Sequence, residues 1–121
     1  MAGKEKRSNR RKLKDFNLVR FIFMHFLVIT TCKKEDEEKI KNALINEKAA
    51  ACISSFEVKS KYIWEGKVEE DKEIMLFIKT NDYKKAEEII KRNHSYEIPE
   101  IICIKIKGYE KYLRWIDSVV K

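Results

Sequence analysis

Apolar positions recur along this chain in two rhythms, every second residue in some stretches and every third or fourth in others, and the switches between them mark its elements. From about Phe23 to Thr31 a continuous apolar, β-branched run predicts a central strand that closes at Thr30-Thr31-Cys32. Glu35, Asp36, Glu37 and Glu38 then crowd the first turn of a helix, where negative charge favours the helix dipole. Its stripe is Ile40, Ala43 and Leu44, and it finishes near Glu47-Lys48-Ala49. Cys52, Phe56, Val58, Tyr62 and Trp64 next occupy even positions while Ser55, Glu57, Lys59 and Lys61 take odd ones, which predicts a strand with one covered face. Trp64-Glu65-Gly66-Lys67 turns the chain into a returning strand, polar over Val68 to Glu73 and apolar over Ile74 to Ile78, closing at Lys79-Thr80. Asn81 or Asp82 caps a second helix striped by Tyr83, Ala86, Ile89 and Ile90, which gives out near Asn93-His94. A strand from Ile101 to Ile106 follows, opened by Pro99 at no cost to a central ladder. After Gly108, Tyr109, Tyr112, Leu113, Ile116, Val119 and Val120 define an amphipathic terminal helix.

The order βαββαβ plus a final helix predicts an α+β, ferredoxin-like subunit with helices on one face of an antiparallel sheet. Its hairpin is unusual. Strands over about Ala51 to Trp64 and Lys67 to Thr80 are far longer than the customary five or six residues. At about 3.3 Å per residue each reaches ~45 Å, beyond the span of a compact domain of this size. A projecting tip that carries Tyr62 and Trp64 on open strands is sticky and unstable alone, and pairing with a neighbouring subunit removes both problems. The competing geometry is a bulge that folds the hairpin back over its own sheet.

Charge alters the picture only at the N-terminus. Eight of the chain's Lys and Arg lie in residues 1–20 against Glu5 and Asp15, so +6 of the net +7 sits in a polar segment without apolar periodicity. Residues 1–20 are therefore expected to be a disordered basic extension, and residues 21–121 a single, nearly neutral domain. Such an extension touches nucleic acid or an anionic membrane only weakly and in a salt-dependent way. The apolar run 21–29 imitates a secretory signal, but His25 interrupts it, no small-residue cleavage site follows, and it is too short to span a bilayer. Cys32, Cys52 and Cys103 are odd in number and lack Cys-x-x-Cys spacing. They are expected to be small buried hydrophobes in a reducing, cytoplasmic compartment rather than a disulfide scaffold.

Catalytic signatures are missing. The chain has three Gly in all, no phosphate-cradling loop, no nucleophile elbow and no paired-histidine zinc motif, so a non-enzymatic function is expected. Glu69, Glu70 and Asp71 at the hairpin end are read as solvating, edge-protecting charges. His94 beside Tyr96, Glu97 and Glu100 offers an imidazole and carboxylates suited to copper or zinc, yet one chain supplies too few ligands for a closed site. The alternative is that His94 hydrogen-bonds at a helix end. Tyr62, Trp64 and Trp115 are read as packing residues at or near a subunit contact.

Several segments together resemble the CutA family of divalent-cation tolerance proteins. They are Thr30-Thr31-Cys32, Glu47 to Cys52, Tyr62-Ile63-Trp64-Glu65-Gly66-Lys67-Val68-Glu69, Ile78-Lys79-Thr80, His94-Ser95-Tyr96-Glu97-Ile98-Pro99-Glu100-Ile101 and Tyr112-Leu113-x-Trp115. The resemblance implies a homotrimer held by inter-subunit pairing of the long hairpins, an assembly similar to PII signalling proteins, and a response to metal ions without an established reaction. It also implies a metal site for copper(II) or another divalent cation at His94, to which the residues themselves add Glu100 as a candidate ligand. Tyr62, Trp64, Lys79, Tyr96, Glu97 and Trp115 are then expected at the trimer interface or an inter-subunit cleft. Lys79, Tyr96 and Glu100 there suit a small anion or metabolite by the same analogy. The chain departs from the family pattern in having Ser95 for the usual Pro and a connection from first strand to first helix one residue shorter, without its common Pro. The copper site proposed for some members is weakened because Thr30 and Asn93 stand where those members have a Cys and a second His. The rival reading is a trimeric PII-like scaffold or small-metabolite sensor without a specific metal site.

Overall fold

A computed structural model describes residues 24–121, so the basic extension expected over residues 1–20 lies outside the described residues. The chain runs β1 (His25–Cys32), α1 (Lys34–Asn46), β2 (Cys52–Trp64), β3 (Lys67–Thr80), α2 (Tyr83–Asn93), β4 (Ile101–Ile106) and α3 (Glu110–Val119). These strands form one four-stranded sheet in the order β2-β3-β1-β4, with each neighbouring pair antiparallel. This is the predicted ferredoxin-like arrangement with an added terminal helix.

Local chemistry explains the element ends. The Lys85 backbone N–H donates to the Asp82 carboxylate at 3.2 Å, so Asp82 is the cap of α2. Asn81 instead donates to Asp117 at 2.9 Å. Helix α1 begins with Glu35, Asp36 and Glu37 in its first turn. It ends in a Schellman turn: Lys48 sits at φ 57°, its N–H donates to the Ile45 carbonyl, and the Ala49 N–H donates to that of Leu44. The hairpin turns at Glu65 (φ 50°) and Gly66 (φ 78°), the two positive φ values of a type I′ turn.

Cross-strand register divides the sheet into two faces. Val28, Leu76 and Ile78 point to the side where α1 and α2 supply Ile40, Leu44, Ala86, Ile89 and Ile90, and these residues form one fully buried core. Leu27, Ile29, Met75, Phe77, Ile102 and Ile104 occupy the opposite face, together with Phe56 across from Met75. Helix α3 meets that face at one end only, where His25 hydrogen-bonds to Asp117 at 2.9 Å. The rest of it stays open, with Phe56, Ile102 and Ile104 each more than two-fifths exposed.

The hairpin is straight. Strands β2 and β3 pair in one unbroken register from Cys52↔Lys79 to Trp64↔Lys67, which rules out the bulge that would fold the tip back. From Lys61 to Lys72 every residue is exposed. The cysteine expectation needs correcting: Cys32 is buried and Cys52 half-buried, but Cys103 is exposed. Cys103 lies on β4, an edge strand of the sheet.

Candidate functional site

A cleft of about 540 Å³ opens where the projecting hairpin leaves the body of the sheet. Three pieces of chain make it: the end of β1 gives Thr31, the hairpin gives Ser60, Lys61, Tyr62, Trp64 and Glu73, and the α2–β4 loop gives Tyr96, Glu97, Ile98 and Glu100. The even-numbered face of β2 and the odd-numbered face of β3 coincide in the register, so Ser60, Tyr62, Trp64 and Glu73 all point to the open side of the sheet.

Hydrogen bonds to α1 and β1 hold the loop. Ser95 donates its N–H and its hydroxyl to the Asp36 carboxylate at 3.2 and 2.5 Å. That hydroxyl bond, outweighing the opposite effect of burial, is what keeps the Asp36 carboxyl below its ordinary pKa. Thr30, fully buried, donates its hydroxyl to the Glu100 carbonyl at 2.7 Å. His94 forms the C-cap of α2. Its Nδ1 accepts the Tyr96 N–H at 3.1 Å, and its Nε2 lies 2.6 Å from the Thr31 carbonyl. A carbonyl can only accept and an amide N–H can only donate, so His94 is the neutral tautomer protonated on Nε2, with neither nitrogen free.

The ring of His94 packs on Tyr96 at 4.7 Å between centroids, which turns the Tyr96 hydroxyl toward Glu73. There it donates to the carboxylate at 2.6 Å. Burial and then this bond push the Tyr96 hydroxyl pKa well above its usual range, so it stays a donor at any physiological pH. Glu73 is 8% exposed, a nearly buried carboxylate beside an open cleft. Further out, the Tyr62 hydroxyl donates to Asp71, which lifts its pKa to about 12.

The structure therefore brings Tyr62, Trp64, Tyr96, Glu97 and Glu100 into one cleft, with His94 directly behind it. Within one subunit, two other residues expected at a subunit interface or inter-subunit cleft lie apart from it. Lys79 lies toward the far end of β3, donating to Ser54 at 3.1 Å, and Trp115 lies on α3, its ring 5.6 Å from Tyr112. Sequence reasoning missed Glu73, which reads as one more charge of a polar strand half, and Thr31, Ser60, Lys61 and Ile98 with it. The one available signal was the even-odd pattern of β2, which puts Glu73 opposite Val58 once the hairpin register is fixed.

The donor set does not make a metal site within one subunit. No group of three or more His, Cys, Asp or Glu side chains converges among the described residues. Copper ligation by His94 requires it to give up one of its two backbone hydrogen bonds. What the cleft offers as it stands is carboxylate oxygen from Glu73, Glu97 and Glu100, framed by the rings of Tyr62, Trp64 and Tyr96.

The motif segments that line this cleft fall in a stretch recognised as a family. The model of the CutA1 divalent ion tolerance protein matches residues 26–119, nearly all of the described chain. The chain belongs to the CutA1 family. The divalent-cation tolerance protein CutA of Archaeoglobus fulgidus is 40% identical over 102 residues, a match covering 81% of this chain and all of that protein. The chloroplastic CutA 1 of Oryza sativa is 40% identical over 94 residues, covering 74% of this chain and 53% of that longer protein. Solved CutA structures share the fold. That of Archaeoglobus fulgidus, described as a periplasmic divalent cation tolerance protein, superposes with a TM-score of 0.77 at 36% identity, covering 81% of this chain and all of its own. The CutA1 of Thermus thermophilus does so with a TM-score of 0.77 at 34% identity, covering 81% of this chain and all of that one. No described helix of this chain is long and apolar enough to cross a membrane.

Proposed function

We propose that this CutA1 protein acts without turnover as a homotrimer in divalent-cation tolerance, taking up a cation, copper(II) first among candidates, where its cleft meets a neighbouring subunit. The observation that carries the reading is the open face of the sheet. Leu27, Ile29, Phe56, Met75, Phe77, Ile102 and Ile104 form an apolar surface that α3 covers at one end only, and a soluble subunit with such a face needs a partner. The hairpin projects from the same sheet with Tyr62 and Trp64 on that side, so a second copy of the chain covers both at once. Glu73, Glu97 and Glu100 line the cleft beside this surface, and the ligands that one subunit lacks then come from its neighbour. We place the protein in the cytoplasm on its odd cysteine count without Cys-x-x-Cys spacing.

The aromatic lining favours a second reading. Rings from Tyr62, Trp64 and Tyr96 around a few polar groups suit a small organic metabolite, as in a PII-like sensor, better than a bare cation. Native mass spectrometry of the full chain with limiting copper(II) or zinc(II) separates the two. A trimer with a defined metal count that falls in Glu100→Gln or Glu73→Gln supports the cation site. His94→Ala asks in addition whether the imidazole exchanges a backbone bond for metal. A trimer with ragged adducts indifferent to all three variants supports the sensor, and a monomer overturns the assembly.

A further inference from the structure

The hairpin cleft carries more negative charge than its own residues neutralise. Glu73, Glu97 and Glu100 line it, and among the described residues none of the three is in an ion pair. Lys61, the basic side chain on its wall, comes from the odd-numbered face of β2 and pairs with Glu70 at 3.8 Å. Glu73 is the informative member. It is 8% exposed and its Oε2 accepts the Tyr96 hydroxyl, but no described residue donates to Oε1. That oxygen is not among the described polar atoms sealed from solvent without a partner, so it opens on the cleft that Glu73 lines. A carboxylate drawn this far out of water is stabilised by a donor at its second oxygen.

The neighbouring rings narrow the kind of donor that fits. The ring of Tyr96 is already engaged, with the His94 ring at 4.7 Å and the Lys33 ammonium at 6.0 Å from its centroid. Tyr62 and Trp64 have no ring or cation partner among the described residues, and they are 40% and 38% exposed. The Tyr62 hydroxyl bonds to Asp71, which stands opposite Ser60, so its ring leans along the hairpin toward Glu73. Glu73 itself stands opposite Val58, four and six residues before Tyr62 and Trp64, or about 13 and 20 Å along the strand. The cleft thus runs from a nearly buried carboxylate at its inner end to two uncovered rings at its outer end. A single divalent ion reaches only a fraction of this wall and finds no three convergent ligands among the described residues. A molecule with a cationic head and an apolar tail matches all of it. We infer that the cleft binds a linear aliphatic amine in its ammonium form, an N–H donating to Glu73 Oε1 and the hydrocarbon lying along Tyr62 toward Trp64, with Glu97 and Glu100 adding negative charge beside the head. The inference rests on the metabolite reading of this cleft and names the class of metabolite. The volume of about 540 Å³ lies within the usual range for small-molecule sites.

Isothermal titration calorimetry on the full chain at about pH 7, where an aliphatic amine is protonated, tests this with n-hexylammonium, n-butylammonium, 1-hexanol and hexanoate. Saturable binding of hexylammonium is expected, with hexanol and hexanoate weaker by about tenfold or more, the effect of one hydrogen bond to a charged group. Butylammonium is expected to bind about tenfold more weakly than hexylammonium, because two fewer methylenes lie against the rings. Glu73→Gln keeps an oxygen for the Tyr96 hydroxyl and is expected to weaken hexylammonium by about tenfold or more, read where circular dichroism shows the fold intact. The ligand series uses the unaltered protein, so it decides even where that variant fails to fold. Hexanol or hexanoate binding as tightly as hexylammonium overturns the inference and leaves the metabolite reading in place. Absence of binding by all four compounds, with copper(II) or zinc(II) still bound, overturns both. Equal affinity for butylammonium and hexylammonium, or unchanged hexylammonium affinity in folded Glu73→Gln, overturns the inference.

Discussion

The two halves of the long hairpin have the same strands, the same register and the same backbone ladder, yet opposite environments. In the inner half Ile74, Leu76 and Ile78 are at most 5% exposed, because β1 flanks β3 and the helices α1 and α2 lie beneath. In the outer half Ile63 and Val68 are 75% and 70% exposed, with nothing beneath them but their own cross-strand partners. Strand pairing alone therefore does not bury a side chain. A third strand and a second layer do, and an isolated two-stranded ribbon is only marginally stable in water. The outer half is thus the part of the subunit left without a second layer, and the inner half is the part that the body of the fold encloses.

The sharpest way to break this contrast is to remove the same kind of side chain from each half. Leu76→Ala, in the fully buried core, is expected to cost about 2–5 kcal/mol in urea denaturation at fixed protein concentration. Val68→Ala is expected to stay within about 0.5 kcal/mol if the subunit alone sets stability. A loss at Val68 approaching that at Leu76 would mean that a neighbouring copy packs on the outer ribbon.

A smaller effect concerns the loop that joins the core to the cleft. The Asp36 carboxyl is held below its usual pKa of 3.8 mainly by the Ser95 hydroxyl, so the stability from this contact is present above that value. It is lost as pH falls through the lower folded value. Amide exchange at Ser95 and Tyr96 should therefore speed up on acidification before the exchange of β1 and β3 does, and Asp36→Asn should remove that pH dependence. The smallest effect lies at the end of α1, where Lys48 adopts a left-handed conformation that favours glycine. Lys48→Gly is expected to stabilise by about 0.5 kcal/mol, measured as a small rise in Tm.

Much of the lining of the hairpin cleft was legible before any coordinates. The Tyr-x-Trp-x-Gly run, the loop from His94 to Glu100 and the alternation of β2 named Tyr62, Trp64, Tyr96, Glu97 and Glu100, and all five line one cleft. Glu73 escaped because its neighbours in sequence are charged and solvated, whereas its burial comes from Tyr96, a residue 23 positions away that a loop fold brings to it. Lys79 and Trp115, expected at a subunit interface or inter-subunit cleft, lie outside this cleft within one subunit, and motif order along a chain carries no distance. His94 was read by residue type as a metal ligand or a helix-end hydrogen-bond partner. The two backbone groups that occupy its nitrogens became visible only with the loop in place.

What the sequence determined by itself was the order and type of the elements, the hairpin's length and turn, and the family. Each of these rests on local periodicity, on turn residues such as Glu65-Gly66, or on short contiguous motifs. What only the tertiary structure decided was which charged side chain becomes buried, that both imidazole nitrogens of His94 are taken by backbone groups and which face of the sheet stays uncovered. Those properties arise from contacts between residues far apart in the chain, where burial and hydrogen-bond partners, rather than residue type, set what a side chain can do.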